Sequence, residues 1–70
     1  MHERKFFMWT TVYMTQSIDT ARIMRSKIEN SEILVMLHSV KSVEGTGEEF
    51  FELLVPEAEL KDALDIIIAE

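Results

Sequence analysis

The side chains with chemical potential in this sequence are few. His38 is followed directly by Ser39, and Glu48, Glu49 and Glu52 crowd one short stretch. A histidine beside a hydroxyl suggests a base and a nucleophile, and carboxylates sharing a face suggest acid–base work or a cation site. Thr15-Gln16-Ser17 sets two hydroxyls ahead of a periodic apolar run, and Glu44-Gly45-Thr46-Gly47 sets two glycines around a threonine. Helix N-termini and glycine turns are common backbone cradles for anions.

The setting weakens each of these. Strand neighbours point to opposite faces, so His38 and Ser39 do not form a catalytic pair by adjacency. Glu48 and Glu52 share a strand parity, but proton transfer also needs a pocket, and a short chain encloses little volume. His38 with these carboxylates fits no metal-ligand spacing. The Gly45–Gly47 segment lacks the Lys-Ser/Thr ending and following helix of a phosphate loop. Ser17 is a natural helix N-cap, and Asp19 already places negative charge in the first turn. Cysteine is absent, which removes thiolate chemistry, disulfides and Cys-ligated metal centres. The expectation is therefore no catalytic residue, no metal ligand and no cofactor, in a protein that is not an enzyme. Thr15 and Ser17 are kept as an anion site.

Seventy residues with thirteen acids, seven bases and a net charge of −6 describe one domain, residues 1–70, with residues 1–5 expected to fray. The charge is uneven. Residues 1–43 carry six bases and four acids, whereas residues 44–70 carry nine acids and the single base Lys61. This sign disfavours nucleic acid as a partner. No apolar run reaches the roughly 18 residues of a membrane span, and the first residues lack the apolar core of a signal peptide, so a cytoplasmic protein without a membrane partner is expected.

Periodicity supplies the elements that must position these groups. Phe6 to Met14 is aromatic and β-branched, with no Gly, Pro, charge or evident bulge, and reads as a strand. Ile18 to Asn30 reads as a helix capped by Ser17 and Asn30, with Ala21, Met24 and Ile28 on one stripe. Ile33 to Val40 is a second strand, Lys41 to Gly47 a hairpin loop, and Glu48 to Val55 a third strand. Phe51, Leu53 and Val55 fall on one face of that strand, and Phe50, Glu52 and Leu54 on the other. Pro56 suits the first turn of a closing helix over Glu57–Ala69, with Leu60, Ala63, Leu64 and Ile67 as its stripe and Glu57 and Lys61 in the favourable i,i+4 order.

The order βαββα predicts an α+β, ferredoxin-like two-layer sandwich. Its three-stranded sheet has strand three in the middle and both helices on one face. The other face has nothing of its own to cover it. Plain alternation assigns Met8, Thr10, Val12 and Met14 to the helix side and Trp9 and Tyr13 to the open side. There Trp9, Tyr13, Phe50 and Leu54 form an apolar contact patch, joined by Met36 or Leu37 according to register. Strand one is also an edge, which a second copy or another partner's strand would cap.

The segments Met8-Trp9-Thr10-Thr11-Val12-Tyr13 and Glu52-Leu53-Leu54-Val55-Pro56-Glu57, with the glycine-containing hairpin between them, carry a resemblance. From about Phe7 to Ile68 the chain resembles the short bacterial proteins grouped as prokaryotic signal-transducing proteins. That resemblance implies a ferredoxin-like βαββα unit and brings no established catalytic residues.

The reading that follows is a small non-enzymatic regulatory or interaction module. It acts through its sheet face or edge strand on a protein partner or on itself as a homodimer. The alternative is a sensor binding an anionic small molecule at a homodimer interface near Thr15, Ser17 and the hairpin loop.

Overall fold

Glu49–Pro56, the longest strand, carries apolar residues on both faces and pairs along both edges, so it forms the central strand. A computed structural model of the chain describes residues 8–41 and 47–69. The expected strand start at Phe6 and Phe7, the fraying of residues 1–5 and the hairpin-loop residues 42–46 lie outside the described residues.

The elements are β1 (Trp9–Thr15), α1 (Ile18–Glu29), β2 (Met36–Lys41), β3 (Glu49–Pro56), a 3-10 turn (Glu57–Glu59) and α2 (Leu60–Ile68). The order is βαββα, and the sheet runs β1-β3-β2 with both outer strands antiparallel to β3. This α+β arrangement is consistent with a ferredoxin-like unit.

The odd-numbered face of β3 is the core face. Leu53 and Val55 are fully buried there against Ile28 and Ala63, with Ile33 beside them. Burying a Leu, Ile or Val side chain contributes roughly 1.5–3 kcal/mol, so this small group holds much of the fold's stability. Ala21 and Ala63 are buried without remaining exposure, because small side chains let both helices approach the sheet closely. Met24, Val35, Leu37, Leu60, Ile66 and Ile67 close the core around them.

In α1 the Ser17 Oγ accepts from the Thr20 N–H at 3.2 Å, satisfying one orphan donor of the first turn, and Asn30 is the C-cap. The left-handed residue that turns the chain towards β2 is Glu32, at φ 64°. It is held by its N–H donating to the Glu29 carbonyl at 2.8 Å.

Three expectations need correction. The first concerns β1, which contains a bulge. Thr11 pairs with Leu54 and Tyr13 with Leu53, so Val12 is an extra residue in the ladder. One extra residue inverts every later side chain. Tyr13 therefore lies on the helix side, packed with Val12 against the core, and Met14 lies on the open face, 53% exposed. The second concerns the closing helix. Pro56 ends β3 instead of opening a helix, and Glu57 sits in the 3-10 turn, outside the α-helix in which Glu57 and Lys61 would be stacked. The third is that Leu64 is exposed while Ile66 packs on the core. Both border the Leu60–Ala63–Ile67 stripe, and packing, not pattern, selects which flank is buried. β2 is also shorter than expected, with Ile33 and Val35 reaching the core before the ladder starts and Leu34 between them exposed.

Candidate functional site

Register fixes the composition of the open face. Trp9, Thr11 and Met14 come from β1, Phe50, Glu52 and Leu54 from β3, and Met36, His38 and Val40 from β2. Of the expected patch, Trp9, Phe50 and Leu54 share this face, and the bulge removes Tyr13 from it. Met36, not Leu37, joins them, because Met36 pairs with Leu54. Trp9 is 37% exposed and Met36 42%, while Phe50 and Leu54 are half-buried. Apolar surface collects at two ends: Trp9, Leu54 and Met36 at one, Met14, Phe50 and Val40 at the other.

Between those ends lies a polar centre that takes one residue from each strand. Glu52 on β3 accepts from the Thr11 hydroxyl of β1 through Oε1 at 2.6 Å, and its Oε2 lies 3.4 Å from His38 Nδ1 of β2. The Glu52 side chain is 16% exposed and that of His38 62%. The Thr11 hydrogen bond holds the Glu52 carboxyl below the usual glutamate range. Desolvation opposes it, and the hydrogen bond and charge of His38 add to the lowering.

Sequence alone did not assemble this centre. Glu52 and His38 were both visible, but only the register puts them opposite one another, and it is the register again that brings Thr11 of β1 within reach of Glu52. An acid on a strand flanked by apolar residues on both sides was the available signal.

The chemistry of the arrangement is limited. The Thr11 hydroxyl donates to the Glu52 carboxylate, a weak base held below its usual range, and His38 contacts that carboxylate, not the hydroxyl. Ser39 points to the other face and donates to Glu49 Oε2. Among the described residues no three His, Cys, Asp or Glu side chains gather as metal ligands, and no helix is long and apolar enough to cross a membrane. The hydroxyls of Thr15 and Ser17 serve the local backbone: Thr15 Oγ1 accepts from the Ser17 N–H at 3.1 Å, and Ser17 Oγ caps α1.

A second feature lies where β1 and β2 begin and β3 ends. A cleft of about 400 Å³ is lined by Met8, Leu34, Pro56 and Ala58 together with Glu32, Glu57 and Glu59. The Glu57 N–H donates to the Met8 carbonyl at 2.7 Å, tying the 3-10 turn to the start of β1 and holding the walls together. None of Thr11, His38 or Glu52 lines it.

Comparison of the chain with protein-family models, with curated proteins and with solved structures found no match.

Proposed function

We propose that this chain is a small non-enzymatic interaction module of the regulatory kind, working through the open face of its sheet, with a second copy of itself as the first occupant of that face. One observation carries the reading. Among the described residues the sheet is covered by helices on one side only, and the other side exposes Trp9, Met14 and Met36 around a single satisfied carboxylate. A solvated sheet face is normally polar at alternate positions, and this one is not.

Charge favours a second copy. Within the ladders the open face carries one acid, Glu52, whose carboxylate accepts from the Thr11 hydroxyl and lies 3.4 Å from His38 Nδ1. The acids of α1, the 3-10 turn and α2 lie in elements outside that face. Two copies packed face to face keep their acidic helices outermost, where water screens them.

Size sets the strength. Three strands about 4.8 Å apart and six residue pairs long present about 300 Å² in projection, well below the roughly 800 Å² per partner of a standard stable interface. The association is therefore weak and exchanging, with a dissociation constant on the order of 10⁻⁴ M or above.

Sedimentation velocity across 10 µM to 1 mM, read beside the intrinsic fluorescence of Trp9, tests this. Self-association that Trp9→Ala or Met36→Ser abolishes, with the fold retained by circular dichroism, is the expected result. A strict monomer at 1 mM, with Trp9 emission unchanged on dilution, overturns the second copy as occupant.

A further inference from the structure

We infer that the cleft at the end of the sheet receives a basic side chain, arginine or lysine, carried on an extended apolar segment of a partner polypeptide. This goes beyond the sheet-face reading and does not depend on it, since a strictly monomeric chain would hold the same cleft.

The lining mixes two chemistries. Met8, Leu34, Pro56 and Ala58 supply apolar walls, with Met8 and Leu34 well exposed. Three glutamates line the same cleft: Glu32 in the turn after α1, and Glu57 and Glu59 in the 3-10 turn. A long basic side chain matches this mixture, because its methylene stem covers apolar surface while its charged end pairs with carboxylates. The volume of about 400 Å³ falls within the range of ligand-sized sites.

Other occupants fit less well. The three carboxylates do not converge as metal ligands, so a bare cation gains no coordination sphere. A free amine gains only the ion pairs, each shifting an equilibrium by about fivefold or less at an exposed site, which leaves it at millimolar affinity or weaker. A polypeptide adds apolar contacts on Met8 and Leu34 to the same ion pairs. Arginine is the stronger choice, because its planar fork reaches two carboxylates together.

The test uses the whole chain, isotope-labelled for NMR, titrated with acetyl-Leu-Arg-Leu-Arg-Leu-amide and with the same peptide carrying citrulline for arginine. Saturating shifts at Leu34, Glu57, Ala58 and Glu59, with at least tenfold weaker binding of the citrulline peptide, are expected. Glu57→Gln with Glu59→Gln should weaken the arginine peptide about tenfold and flatten its salt dependence. Leu34→Ser should weaken it while leaving the salt dependence in place. Asp62→Asn with Asp65→Asn removes the same charge from α2 and should bind as the parent does. Equal binding of the citrulline peptide, an equal loss in the Asp62/Asp65 variant, shifts confined to Trp9 and Phe50, or arginine amide binding as tightly as the peptide would each overturn the inference.

Discussion

Replacing Thr11 with valine removes one hydroxyl from the centre of the open face and little else. Valine has nearly the same shape and favours strands, so neither a cavity nor a loss of propensity is introduced. What goes is a 2.6 Å donation to the Glu52 carboxylate. Hydrogen bonds to charged groups contribute roughly 1.5–3 kcal/mol. On a face open to water the freed oxygen is rehydrated, so a loss of about 1 kcal/mol at pH 7 is the working figure. The sign with pH follows from the lowered carboxyl. A carboxylate stabilised in the folded state contributes fully above its unfolded value, and that contribution is lost as pH falls through the folded value. The parent should therefore lose this increment as pH falls below the ordinary glutamate value and through the lowered folded one. In Thr11→Val the largest lowering influence is gone while desolvation persists, so Glu52 titrates higher and the variant depends less on pH. Urea unfolding at a series of pH values should show two stability curves about 1 kcal/mol apart at pH 7 that converge at acid pH, once Glu52 is protonated in the folded parent. NMR titration of the Glu52 carboxyl carbon should move upward in the variant. Two parallel curves, offset equally at pH 7 and at acid pH, would refute the reasoning, because the cost would then be unrelated to ionisation.

The bulge makes a paired prediction: Tyr13→Ala should cost about 2–3 kcal/mol through lost core packing, and Met14→Ala less than about 1 kcal/mol, measured by denaturant unfolding. Plain alternation requires the opposite order. Deletion of Val12 should leave Thr11 opposite Leu54 and Tyr13 opposite Leu53, giving a folded chain with a regular β1 edge. That chain should aggregate faster than the parent at matched folded fraction, as followed by light scattering; unchanged aggregation would show that the bulge does not protect the edge.

The fold was legible where each residue's pattern and setting agreed. β3 has unbroken alternation, and its two faces were read correctly down to Leu53 and Val55 in the core and Phe50 and Leu54 outside it. The α1 stripe was also plain, since Ala21, Met24 and Ile28 are separated from charged residues around the helix. β1 failed for a physical reason. Trp9 to Met14 has no polar residue stronger than threonine, so nothing in composition marks which side each residue prefers, and an inserted residue leaves no trace. The polar centre was illegible for a related reason. It depends on register between strands distant in sequence, which Thr11 and Glu52, forty-one residues apart, cannot announce locally.

The bulge also bears on whether a partner meets the face or the edge of the sheet. On either side of Val12 only three residues of β1 remain in regular register: Trp9 to Thr11, then Tyr13 to Thr15. Each run is shorter than the five or six residues typical of a paired strand, and a bulge twists the edge away from flat pairing. The open face has no such break. Thr11 and Met14 stay on the same side across the bulge, so the apolar surface continues from Trp9 to Phe50 with Glu52 between. A partner that covered this face with apolar side chains alone would strip the carboxylate of water and gain nothing for it. One that leaves the Thr11–Glu52–His38 centre wet, or matches it, keeps the contacts at both ends. The two ends then supply attraction, and the glutamate between them decides which surfaces fit.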